Sequence, residues 1–464
     1  MREEPAPPDG PPPGGSPPGL RSPGGAPLGR RRLLRGLLAG AGAATLGASA
    51  AGCGAVAGAT ADPNTVRYWN LFSGGAGGLQ RQMIAEAEER AGVRVEDTVL
   101  AWGAPYYTKL AMAAAGGRAP DVAVMHASRL AGHAPGGLLD PWDMELLAEL
   151  GVTPEHFPPE LWRQCRQGYA ATYAIPLDTH PLVVFYDRDA MAAADLLTAE
   201  GRLIDFESPE HFLDAAAELR RRNEHGLGPV FGHVSDPAQN WRLFWGLFGQ
   251  TGATFDLGGR RADVDRDAAT RVLRFMVDLV APDCRTYNVE TATSQFAGRK
   301  APAVLCGEWE LTTYAAVPGL PLDGAAFPVL FGRPANFADS HTFVLPHQSS
   351  PDPKRRRATH RFVAEMLKSS LTWAEAGHIP AYRPVQESDA YRELTPQSHY
   401  AAAADRVFLD PPVWFTGAGS EFQTRMCDAM QSAMLGERPA ARAVDAMVDE
   451  IDVFLSRPTP VAGT

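Results

Sequence analysis

At 464 residues the chain is too long for one small domain, and with 45% hydrophobic and 21% charged residues it has the composition of a soluble globular protein. A net charge of −11, from 54 acidic against 43 basic side chains, argues against nucleic acid as a partner, because such binders gather basic residues on one face. The cysteines show no CxxC or Cys/His spacing of a zinc site, so Cys165, Cys284, Cys306 and Cys427 are expected to be buried free thiols.

Residues 1–28 are mostly Pro, Gly and Ser, which cannot bury a core and read as disordered. Residues 29–53 run from the basic Gly29–Arg35 through the short apolar stretch Gly36–Ala51 to Gly52-Cys53. A basic region, a short apolar region and a small-residue cleavage site compose a secretory signal, too short to span a membrane. Arg30-Arg31 followed by x-Leu-Leu resembles a twin-arginine export signal. Ala50-Ala51-Gly52-Cys53 resembles a bacterial lipobox with Ala50 in place of the usual Leu. That resemblance implies lipid on Cys53, with residues 54–64 as a flexible tether.

From Val66 strands and helices alternate. Val66–Asn70 reads as a strand, residues 73–78 as a glycine-rich loop, and Leu79–Ala91 as an amphipathic helix. Val93–Leu100 follows as a strand, Tyr106–Ala115 as a helix and Asp121–His126 as a strand. This alternation implies parallel βαβ units, whose ligands bind beyond the carboxyl ends of the strands; it nominates residues 70–73, 101–106 and 126–129. The glycines lack the spacing of a P-loop or a dinucleotide fingerprint, and are read as allowing a tight turn and close ligand approach.

The stretch Gly168–Asp189 holds two apolar runs, Tyr169–Ile175 and Leu182–Tyr186, that do not alternate cleanly and read as strands buried on both faces. The turn between them carries Asp178, Thr179 and His180, groups able to orient a ligand. Met191–Ala199, Pro209–Arg222 with Ser208 as N-cap, and Asp265–Val280 read as helices, and Val230–His233 and Ala301–Cys306 as strands. The aromatic helix Asn240–Phe248 offers Trp241 and Trp245 either to a core or to the edge of a cleft. Ala335–Pro346 reads as a returning strand, Arg355–Ser369 as a helix, and the chain closes on a helix to about Leu455.

Several stretches resemble the extracellular solute-binding family that holds the maltodextrin-binding proteins. They are Tyr107-Thr108-Lys109-Leu110 with Ala113, Ala115, Gly117, Pro120, Asp121 and Val122; Pro176–Pro181 with Tyr186; residues 296–310, FAGRKAPAVLCGEWE; Trp373–Pro384; and Gly436–Ala440 with the closing helix. The resemblance runs from Val66 to Leu455. It implies an α/β fold of two lobes joined by hinge crossovers, with a ligand cleft between them. Residues 65–180 with 338–372 would form lobe 1, and 181–337 with 373–464 lobe 2. It further implies an exported substrate-binding component of an ABC transporter, without catalysis or cofactor. Such a protein would be a monomer, lipid-anchored to the outer face of the cytoplasmic membrane, delivering a sugar (an oligosaccharide is expected) to a permease.

A sugar ring offers an apolar C–H face and a rim of hydroxyls, matched by indoles with a few polar groups. The expected ligand residues are therefore Trp69 and Trp309 for stacking, Asp178 and His180 for hydroxyls, and Asn70, Tyr106, Trp241 and Asn336 beside them. Asp339, Ser340, His341 and residues 378–383 stand behind these. Two other readings are open. The same fold could carry a metal, through converging Tyr, His or carboxylate groups, or an anion, drawing on Arg333 or a helix N-terminus. An exported glycosidase would need facing carboxylates such as Asp178 and Glu308, but no nucleophile elbow or HExxH accompanies them.

Overall fold

The computed structural model describes residues 62–166 and 171–459. The export signal, Cys53, most of the tether and the start of the Tyr169–Ile175 run lie outside the described residues. Within them, the chain builds two sheets and crosses between them repeatedly. In the first, β1 (Thr65–Asn70), β2 (Arg94–Val99) and β3 (Val122–His126) run parallel in the order β2-β1-β3. β13 (His341–Pro346) returns antiparallel to β3, and also pairs with β4 (Leu139–Asp140) and β5 (Ala174–Pro176).

The second sheet is organised around β6 (Asp178–Asp187), which is buried along its whole length. β10 (Ala303–Gly307), β11 (Leu322–Ala326), β12 (Asn336–Asp339) and β14 (Ile379–Pro380) all pair antiparallel with it. β7 (Val230–Phe231) lies parallel beside β10, and β15 (Val407–Phe408) beside β12. A small hairpin of β8 (Phe255–Asp256) and β9 (Asp263–Val264) forms its own sheet. The crossings are short: Leu177 separates β5 from β6, and Ser340 separates β12 from β13. A third crossing, residues 376–378, joins the Ser370–Glu375 helix to β14. The single returning strand expected over Ala335–Pro346 is thus two strands in different sheets.

Each sheet carries its own core. Around the first lie Val66, Tyr68, Met83, Val124, Phe343 and Phe362; around the second Phe185, Phe231, Trp241, Phe244, Phe248 and Phe275. The helices that cover them start where the sequence supplies a cap. Ser208 Oγ accepts from the His211 amide at 3.2 Å to open Pro209–Arg222, and Asp265 accepts from the Ala268 amide at 2.9 Å to open Arg266–Val280. The latter buries Ala269, Val272, Leu273, Met276 and Val280, the spacing of one helical face.

Two local expectations change. Residues 73–78 are not a loop, because the helix already begins at Gly74 and runs to Ala91. Its glycines serve close approach: a Cβ on Gly75 would come within 2.6 Å of Thr312 Oγ1, and one on Gly77 within 2.8 Å of the Phe72 carbonyl oxygen. The helix after β6 is only Arg188–Ala193; Asp195 turns left-handed at φ 58°, and the chain folds back so that Leu197 bridges Leu203. Cys165, Cys284, Cys306 and Cys427 are buried and unpaired. Among the described residues no helix is long and apolar enough to cross a membrane.

Candidate functional site

Where the two sheets meet there is a cavity of about 430 Å³. The first half contributes Leu71, Phe72, Ser73 and the glycines at the start of the Gly74–Ala91 helix; the second contributes Asp236, Gln239, Arg242, Trp309, Thr312 and Thr313. Trp102 also lines it, and His126, His180, His341 and His378 form a nearly buried wall. A larger hollow of about 710 Å³ lies between Trp69 and the Ala104–Ala115 helix, but it is an open surface feature with few polar groups. Enclosure and convergent polar side chains single out the smaller cavity as the candidate site.

The histidine wall follows from strand register. His126 ends β3 and His341 begins β13, and the two are direct cross-strand partners. His180 lies opposite Asp339, and His378 precedes β14, whose Ile379 lies opposite Thr179. The imidazole centroids are 4.1 Å apart for His180 and His341, 4.7 Å for His126 and His341, and 5.1 Å for His126 and His180.

Asp178 ties this wall together from behind. It accepts from His180 Nδ1 at 3.1 Å, His341 Nδ1 at 2.7 Å, the His341 amide at 2.8 Å and Trp373 Nε1 at 2.7 Å. Burial alone would raise its pKa, but His341 and His180 outweigh burial and hold the carboxyl well below its usual range. Burial also holds His126, His180 and His378 below the ordinary imidazole value, so these rings are neutral near pH 7. Glu308 is fully buried, and burial with the nearby Asp178 charge pushes its carboxyl well above the ordinary value. Its Oε1 is 2.7 Å from His378 Nδ1, yet the two are not aligned as a hydrogen bond. Neither Asp178 nor Glu308 lines the cavity, so they do not face each other across it as a glycosidase pair would.

Trp309 is half-buried and lies across its own strand end: a Cβ on Gly307 would fall 2.1 Å from the indole. His180 meets the ring edge-on at 6.0 Å. The Arg242 guanidinium stands 5.1 Å over the Trp309 ring and 5.6 Å over that of Trp102, so one cation bridges two indoles at the cavity edge.

Of the residues expected at the site, His180 and Trp309 line the cavity and Asp178 supports it from beneath. Asn70 is buried, bonded to Asp97 and accepting from the Phe72 amide at 3.0 Å, so it shapes the Leu71–Ser73 segment from behind. The others are placed elsewhere. Trp69 faces the surface hollow, with Lys109 Nζ 5.4 Å from its ring. Tyr106 is in the first core, its hydroxyl donating to the Val124 carbonyl at 2.7 Å. Trp241 is in the second core, its Nε1 donating to Asp410 at 2.7 Å. Asn336 donates to the Leu182 carbonyl at 3.0 Å within the second sheet. Tyr106, Trp241 and Asn336 each satisfy a polar atom inside their own half, and none of the four lines the cavity.

Arg242, Asp236 and Gln239 were not foreseen. The sequence signal was a lone Arg in an aromatic helix, one residue from Trp241 and so about 100° around the helix from it. Trp102, His126 and His378 lay in ranges that topology or resemblance nominated, and His341 among the weaker candidates. Their convergence depends on pairing between distant strands.

The family model for bacterial extracellular solute-binding proteins matches residues 82–395. Comparison with curated proteins gave no match. Among solved structures, the GacH receptor of Streptomyces glaucescens, determined unliganded and with acarbose, superposes with a TM-score of 0.68 at 19% identity, covering 84% of this chain and 98% of that one. An ABC substrate-binding protein from Listeria monocytogenes in complex with cycloalternan gives 0.67 at 15% identity, covering 84% and 98%. The maltose-maltodextrin binding protein of Alicyclobacillus acidocaldarius gives 0.64 at 15%, covering 83% and 99%. These likenesses show the fold: two α/β lobes with the cavity between them.

Proposed function

The chain belongs to the family of bacterial extracellular solute-binding proteins, and from that premise we propose that it is the exported substrate-binding component of an ABC transporter, taking a sugar in the cavity between its lobes. The observation that carries the ligand reading is the half-exposed Trp309 indole at a cavity rimmed by Ser73, Asp236, Gln239 and Thr313. An aromatic face with short polar groups around it matches the apolar face and hydroxyl rim of a sugar. The binding of acarbose and of cycloalternan by structural neighbours supports an oligosaccharide. The family supports export and a permease partner. The Arg30-Arg31 signal and Cys53 support lipid anchoring to the outer face of the cytoplasmic membrane. Lobes of residues 65–180 with 338–372 and 181–337 with 373–464 are supported in outline by the two sheets, whose crossings at Leu177, Ser340 and residues 376–378 lie within a few residues of those bounds.

The test is thermal unfolding of the purified protein against a panel of mono- and oligosaccharides. A ligand that binds only the folded state stabilises by RT ln(1 + [L]/Kd), about 2.7 kcal/mol at a hundredfold excess over Kd. A sugar-specific rise in melting temperature is expected, weakened at least tenfold in affinity by Trp309→Ala. A flat response to every sugar, or an unchanged affinity in that variant, overturns the reading.

A further inference from the structure

We propose that the histidine wall of the cavity is a binding site for one divalent transition-metal ion of the zinc class, held by the Nε2 atoms of His126, His180 and His341. The site is separate from the sugar reading and needs none of the aromatic residues on which that reading rests. One ligand atom from each of these buried histidines lies within 4.8 Å of the others. Zinc–imidazole bonds of about 2.0–2.1 Å in tetrahedral geometry place ligand nitrogens about 3.4 Å apart, so modest ring tilts close the site.

What distinguishes the cluster from a chance gathering of histidines is how the other ring nitrogens are held. His126 Nδ1 is 2.6 Å from Tyr107 Oη, His180 Nδ1 is 3.1 Å from Asp178 Oδ1, and His341 Nδ1 is 2.7 Å from Asp178 Oδ2. With each Nδ1 carrying its proton toward an oxygen, each Nε2 keeps a free lone pair. Backing of this kind, by a carboxylate or hydroxyl behind the imidazole, fixes the tautomer, orients the ring and raises its basicity toward a metal. Asp178, His341 and His378 form an overlapping group. There Asp178 and His341 are already bonded to each other, so the first triad is the better ligand set.

Three imidazoles without thiolate suit zinc and its neighbours, such as copper and nickel, over magnesium or calcium, which prefer oxygen. All three histidines line the cavity, so the fourth coordination position opens toward it and is filled by water or by a ligand oxygen. Because His126 and His341 belong to the first sheet and His180 to the second, the ion would also pin the two halves at their crossings.

The experiment takes the purified full chain, strips it with chelator, and titrates Zn²⁺ alone by calorimetry, with Co²⁺ loading followed by visible absorption. One ion per chain and the intense bands of four-coordinate Co²⁺ are expected. His180→Gln and His341→Gln should each weaken binding at least a hundredfold. Tyr107→Phe, which leaves all three ligands in place, should weaken it about 10–100-fold. Absence of stoichiometric binding, a purely six-coordinate Co²⁺ spectrum, or undiminished affinity in both histidine variants overturns the site. Should the histidine variants fold poorly, the wild-type spectrum and Tyr107→Phe still decide. Sugar titration of the stripped protein is read separately, so sugar binding without metal binding removes this proposal alone, and metal binding without any sugar response removes the other alone.

Discussion

Asp178 stays ionised in a fully buried position because four donors from β6, β13 and the Ser370–Glu375 helix converge on it. Removing the acceptor strands those donors in the interior at the crossing between sheets. Asp178→Ala is expected to lower unfolding free energy by about 3–5 kcal/mol, measured by urea titration. A loss within the error of the wild type would mean that the crossing tolerates the unpaired donors. Asp410 shows the opposite electrostatics. Burial pushes its carboxyl up to about 7; Asp339 adds to the rise, while donation from Trp241 Nε1 and Gln423 Nε2 and the pull of Arg242 oppose it. The folded state therefore holds this proton more tightly than the unfolded chain. Its stabilising contribution is complete below about pH 4 and is lost as pH rises to about 7, with a slope of at most about 1.4 kcal/mol per pH unit. Asp410→Asn should flatten that component, so the stability difference between variant and wild type should change steadily across the window. A constant difference would show that Asp410 titrates in the ordinary carboxylate range.

At the scale of elements, the sequence was most legible where local signals decide structure. The Ser208 cap placed Pro209–Arg222, and the helix read over Asp265–Val280 differs by one residue from Arg266–Val280, which Asp265 caps. The aromatic helix was legible as well, here Gln239–Thr251, but not its rotation about its axis. That rotation is set by Trp241 reaching Asp410 on one side and Arg242 reaching the two indoles on the other. The histidine wall was illegible as a unit because His126 meets His341 only through the register of β3 with β13. Gly307 falls between these cases: it was visible at the end of a strand, but its reason is the indole lying across it. Gly307→Ala is expected to force Trp309 out of place, shifting tryptophan emission and lowering sugar affinity about as much as Trp309→Ala. Unshifted emission with full affinity would show that the ring has room to spare.

For the whole molecule, the contact of Gly75 with Thr312 measures how near the two halves stand across the cavity. Gly75 opens the first helix of one half, and Thr312 sits in the short Leu311–Ala315 helix of the other. A side chain on Gly75 collides only when the halves are this close, so it penalises the closed arrangement and spares an open one. If ligand binding draws on closure, such a penalty appears in affinity and not in the stability of the unliganded protein, since a ligand shifts populations only by its differential affinity for the two states. Gly75→Leu should leave the unliganded melting temperature little changed while weakening sugar binding tenfold or more, the equivalent of about 1.4 kcal/mol. Adding Thr312→Gly should restore much of the loss, because it removes the other half of the collision. Full affinity in Gly75→Leu alone would mean that the bound protein does not bring these two helices together, and that the hinge closes about a different line of contact.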